Sequence, residues 1–83
     1  MRIAVKLFGA EAKAVGAKEL SVELGELIRA DCPALRLALE RDCPTLRPLL
    51  PNCRFAINHE FATADQGFGE HDEIALIGLV SGG

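Results

Sequence analysis

No lysine or arginine follows Arg54, and the whole chain carries a net charge of −3. That argues against a nucleic-acid partner, because phosphate contacts need clustered basic side chains. No Cys-x-x-Cys pair occurs. Cys32, Cys43 and Cys53 are odd in number and widely spaced, which indicates neither a zinc site nor a disulfide framework. An iron–sulfur cluster wants four closely spaced cysteines. Reduced structural thiols and no bound metal are therefore expected. No apolar run approaches the ~20 residues of a membrane-spanning helix. The first eight residues are interrupted by Lys6 and do not read as a signal peptide. A cytoplasmic protein with no membrane partner is the expectation. Tryptophan and tyrosine are absent and phenylalanine occurs four times. Length excludes the most: a chain of 83 residues has no room for a catalytic domain plus a substrate domain, and buries only about 60% of its unfolded surface.

What is present is globular in character. The hydrophobic fraction is 49% and the charged fraction 25%, too apolar a mixture for a disordered chain. The charge is uneven. Residues 55–83 hold five acids (Glu60, Asp65, Glu70, Asp72, Glu73) and no Lys or Arg. This is either a solvated face or a surface that meets a basic partner.

Residues 2–8 alternate, with Ile3, Val5 and Leu7 on one face, and predict a strand. Residues 9–16 are bracketed by glycines and read as a turn with one loose helical turn. Residues 18–24 alternate again, with Leu20, Val22 and Leu24 inward, and should form a hairpin with the first strand. Residues 25–32 fit either an extension of that strand or a lead into a helix. Asp31-Cys32-Pro33 starts a helix by N-cap and first-turn proline. Leu35, Ala38, Leu39 and Asp42 share one face of it, with Arg36, Glu40 and Arg41 left to solvent. The helix must end by Cys43, before Pro44. A second short helical turn is expected between Pro44 and Leu50.

Arg54 to Asn58 predicts a third strand, His59-Glu60 a turn and Phe61 to Thr63 a fourth strand. Residues 64–72 are loop-like. Glu73 to Val80 is almost unbroken apolar sequence, as in a central strand buried on both faces. Asp31-Cys32-Pro33 and Asp42-Cys43-Pro44 echo each other, but structural repeats are longer, so they read as two helix starts. One helix crossing a mixed sheet of four to five strands, with the last strand central, is the α+β ubiquitin-like β-grasp. The chain is expected to be a single domain over 1–83, with residues 80–83 as a flexible tail.

Few residues suggest catalysis. His59 and His71 fall in turns with no Cys or Ser beside them. Asp72 and Glu73 lead into a strand, where neighbouring side chains point to opposite faces. The distinctive feature is Gly82-Gly83. With glycine at about 7% of residues, such a pair ends roughly 0.5% of chains by chance. It follows one residue after an apolar strand. A glycine end fits a narrow channel and leaves its carbonyl uncrowded, as activation of a carboxylate by a partner enzyme requires.

Together with that ending, three stretches resemble a known family. They are Val5-Lys6-Leu7-Phe8 followed by an Ala-rich segment to Gly16, then Phe55-Ala56-Ile57-Asn58, then Asp72-Glu73-Ile74-Ala75-Leu76 running into Val80-Ser81-Gly82-Gly83. These resemble the small subunit of molybdopterin synthase, the MoaD-type sulfur carriers, over most of the chain. The resemblance implies that Gly83 is adenylated by a ubiquitin-activating-like adenylyltransferase and converted to a thiocarboxylate. ATP would be used by that partner, with no cofactor bound here. The sulfur would pass to cyclic pyranopterin monophosphate in the large synthase subunit, within a heterotetramer. Val80, Ser81 and Gly82 would be the inserted arm, with Leu79 and Phe8 as flanking partner contacts. Thiamine and tRNA-thiolation carriers, ubiquitin-like modifiers and a plain interaction module share parts of this pattern. The chain departs from the family at Lys13, one position from the family's usual Arg, at His71 before Asp72, and at Gly78-Leu79 in place of Pro-Pro.

Overall fold

A computed structural model describes residues 1–79. The elements run β1 (Arg2–Leu7), α1 (Gly9–Val15), β2 (Glu19–Glu23), α2 (Cys32–Asp42), short 3₁₀ turns at Pro44–Leu46 and Leu50–Asn52, then β3 (Cys53–Ile57), β4 (Glu60–Phe61) and β5 (Ile74–Gly78). The five strands form one mixed sheet in the order β2-β1-β5-β3-β4. β1 and β2 are the expected antiparallel hairpin. β5 is central, parallel to β1 and antiparallel to β3.

The alternation of β1 does what its sequence predicts: Ile3, Val5 and Leu7 are buried and their neighbours are not. These meet Val22, Phe55, Ile74 and Leu76 from the other strands and Leu35, Ala38 and Leu39 from α2 in one core. Asp31 caps α2 as anticipated, its Oδ1 accepting from the Ala34 N–H at 3.0 Å, with Pro33 in the first turn. The helix ends at Asp42, before Pro44.

Several expectations are corrected. Residues 9–15 are a seven-residue helix, where a loose turn was expected. Ala12 and Val15, packed against the core, hold it, and Gly16 ends it in the left-handed region at φ 81°, its N–H donating to the Ala12 carbonyl at 2.8 Å. Asp42 is exposed and paired with Arg41 at 2.7 Å. Arg36 is not left to solvent. Its guanidinium donates to the Leu50 carbonyl at 2.6 Å and the Cys53 carbonyl at 3.1 Å, 5.5 Å from the centre of the Phe55 ring. Its long apolar stem allows this reach. Residues 25–28 form a turn closed by the Ile28 N–H donating to the Gly25 carbonyl at 3.0 Å, with Leu27 and Ile28 exposed. Asn58 and His59, both at positive φ, make the tight turn, so β4 starts at Glu60.

The correction with most consequence concerns β5. Ile74 and Leu76 are buried, but Ala75 and Ile77 are only half-buried, so the strand is covered on one face and not on two. α1 and α2 both lie on the same side, and nothing among the described residues covers the other. Leu76 sits between Leu7 and Phe55 in register and is fully buried. Leu76→Ala is expected to cost ~2–5 kcal/mol in urea unfolding, the range for a large-to-small change in a packed core.

Candidate functional site

The uncovered sheet face is a continuous surface built by strand register. Lys6 lies opposite Ala75, Ala75 opposite Ala56, and Ala56 opposite Phe61. In the next row Ile77 lies opposite Arg54. Phe8 follows β1 and Leu79 follows β5. Because those two strands are parallel neighbours, both residues stand at the same end of the sheet. Phe8, Phe61 and Leu79 are 52%, 54% and 51% exposed. The face carries a shallow depression of about 390 Å³ floored by Ala56, Ala75 and Ile77 and walled by Phe8 and Phe61.

Charged groups frame it. Glu73 takes Lys6 Nζ at 3.4 Å on one oxygen and His59 Nε2 at 3.3 Å on the other. Arg54 stacks 4.8 Å from the centre of the Phe61 ring and donates to the Ala62 carbonyl at 3.1 Å. The turn beside Glu73 is tied down: Asn58 Oδ1 accepts from the Glu73 N–H and Asn58 Nδ2 donates to Asp72, each at 2.9 Å. Asp72 also accepts from the Gly69 N–H at 2.8 Å. That backbone bond and then the Asn58 bond hold its carboxyl below the usual range. An apolar centre with a polar rim is the anatomy of a protein-docking face, and it holds no nucleophile–base pair.

Of the residues singled out from sequence, Phe8 and Leu79 flank this face. The Leu79 N–H donates to the Asn52 carbonyl at 2.8 Å, which fixes the start of the terminal segment. Val80, Ser81, Gly82 and Gly83 lie outside the described residues. Ala56, Phe61, Ala75 and Ile77 were missed. Their signal was strand parity, since Ala75, Ile77 and Leu79 share one face of β5, but apolar residues on both parities hid it.

The three cysteines are remote from one another in role. Cys32 and Cys53 are buried and Cys43 half-buried, all free. Burial pushes every thiol upward, Cys53 to about 11, with Glu11 adding to the shift. No group of three or more His, Cys, Asp or Glu among the described residues is arranged to hold a metal. No helix there is long and apolar enough to cross a membrane.

A five-stranded mixed sheet with a central last strand and its helices on one face is the ubiquitin-like β-grasp. The chain belongs to the ThiS family, whose profile matches residues 5–83. Small archaeal modifier protein 1 from Haloferax volcanii has the same fold, with a TM-score of 0.82 at 24% identity and 100% of both chains covered. A chain in the complex of subunits 1 and 2 of molybdopterin-converting factor from Helicobacter pylori matches with a TM-score of 0.68 at 23% identity, again over 100% of both. Small archaeal modifier protein 1 from Methanosarcina acetivorans gives 0.76 at 23% identity over 99% of this chain and 96% of that one. A search of curated proteins found no match. At these identities the structural likeness is one of fold, and the family rests on the profile.

Two outcomes follow from this geometry. Iodoacetamide at pH 8 should label Cys43 first and reach Cys32 and Cys53 only on unfolding, read by peptide mass spectrometry, because those two thiols are buried and burial pushes Cys53 up to about 11. Phe8→Asp should leave the urea midpoint nearly unchanged, since the side chain is half exposed, while abolishing co-purification with a partner that uses this face.

Proposed function

We propose that the protein is a sulfur carrier for molybdenum cofactor biosynthesis, with Gly83 as the residue that bears the sulfur. The family match through Gly83 carries this reading. The molybdopterin assignment draws on the Val5-to-Phe8 start and the Asp72-to-Leu76 strand running into Val80-Ser81-Gly82-Gly83. The Helicobacter pylori complex supports a large-subunit partner for a chain of this fold.

The chemistry belongs to the partners and the positioning to this chain. A carboxylate is a poor acyl donor. In the adenylyltransferase a Gly83 oxygen attacks the α-phosphorus of ATP and pyrophosphate leaves. Sulfur from a separate donor then displaces AMP, giving the thiocarboxylate. In the large subunit that sulfur is transferred to cyclic pyranopterin monophosphate. Val80, Ser81 and Gly82 form the arm that enters each pocket, with glycine admitting close backbone approach. The open sheet face, with Phe8 and Leu79 at the end from which the arm departs, provides the docking platform. No catalytic side chain is asked of this chain.

A second reading is favoured by the modifier structures, which match with TM-scores of 0.82 and 0.76. In it the same adenylated Gly83 is passed to an amine of a target protein. Intact-mass spectrometry separates the two. Incubation with a cognate adenylyltransferase, Mg-ATP and a sulfur donor should add the mass of one oxygen exchanged for sulfur, located at Gly83. Deleting Gly83 should abolish the change without unfolding the domain. Adducts on lysines of other proteins, with no thiocarboxylate formed, would replace the carrier reading with the modifier one.

A further inference from the structure

Glu11 is the one charged side chain buried among the described residues, at 6% exposure. It projects from α1 toward the end of β5. A Cβ placed on Gly78 would lie 2.8 Å from Glu11 Oε1 and 3.1 Å from Oε2. The carboxylate therefore occupies the space that a side chain at residue 78 would need. Cys53, the register partner of Gly78, is its polar neighbour. That thiol donates to the Leu49 carbonyl at 3.1 Å and also lies within hydrogen-bonding reach of the Glu11 carboxylate.

No cation comes to Glu11 from the rest of the described chain. The ion pairs there use Met1, Lys6, Arg29 and Arg41, and each goes to another acid; His59 lies against Glu73. Arg36 and Arg54 are engaged with backbone carbonyls, and Lys13, on the same helix, is exposed. A buried carboxylate without a counter-charge is costly and is seldom left so. Its surroundings say where one would enter. Gly78, whose missing side-chain position the carboxylate fills, is itself exposed.

We propose that Glu11 is a concealed anionic contact, which a lysine or arginine of the adenylating partner engages beside Gly78 to register the partner at the root of the terminal arm. This rests on the carrier reading, or on its modifier variant, since both require an adenylating enzyme. Gly78 is part of the device: any side chain there would close the approach and expel the carboxylate. The occupant is cationic because the anion is already in place and the last third of the chain carries no Lys or Arg. Glu11 is a positioning residue in this scheme and does not touch the reacting carbonyl.

The test is Glu11→Gln, which keeps shape and removes charge. Its urea midpoint should equal or exceed that of the wild type, because the amide needs no counter-ion. Its Kd for the cognate adenylyltransferase, by isothermal titration calorimetry, should weaken about ten-fold or more, as loss of a desolvated interfacial charge does. Pyrophosphate release at saturating carrier should be retained, so KM moves and kcat does not. A folded E11Q protein with wild-type Kd overturns the contact while leaving the carrier reading intact, provided the wild type is bound and adenylated. If the wild type is neither bound nor adenylated, both readings fall together. Should E11Q not fold, Gly78→Ala decides, since it evicts the carboxylate without removing it; wild-type affinity in that variant overturns the proposal.

Discussion

The pairing of β5 between β1 and β3 is the constraint on which the molecule depends. The last strand of the chain is the middle strand of the sheet, so the fold closes only when the end returns beside the beginning. Val5 and Leu7 on one side and Phe55 and Ile57 on the other hold Ile74 and Leu76 between them. These contacts are long-range in sequence, and a chain this small has little other apolar surface to bury. The same arrangement places Leu79 at the rim of the sheet, held there by its bond to the Asn52 carbonyl.

Because both helices cover one face, the strand that completes the core also opens the other face. Ala75 and Ile77 are the outward half of a strand whose inward half, Ile74 and Leu76, is buried. The face is apolar at its centre and charged at its rim, as a docking surface should be. Under the function proposed above, the chain supplies a rigid base, a recognisable face and an end that reaches into another protein. The thiols fit that division: all three are shifted away from reactivity, chiefly by burial. Glu11 is the one buried acid without an ion pair among the described residues, and it lies beside the end of β5.

Much of this was legible in the chain. Alternation in residues 2–8 and 18–24 defines a hairpin because side chains alternate about a strand. Asp31 and Pro33 mark the start of α2, and Pro44 its end, through cap and backbone sterics that act locally. The glycine pair and the stretches flanking it point to the family, and the fold agrees. Local chemistry was less informative where long-range packing decides. The segment 9–15 is short and glycine-flanked, and its helix is held by burial against β5. Arg36 reads as a solvent residue on its own helix, and only the return of Leu50 and Cys53 supplies its carbonyls.

The sequence by itself determined the hairpin and its inward side, the start and end of α2 and the chemical character of the glycine end. These follow from periodicity, capping and composition, which act over a few residues. Which face of β5 stays open was decided by tertiary structure, because that depends on both helices packing on one side. So was the meeting of Lys6, His59 and Glu73 at the rim, and of Glu11 with Gly78. Residues far apart in sequence come within a few ångströms only when the sheet brings the end of the chain back to its start.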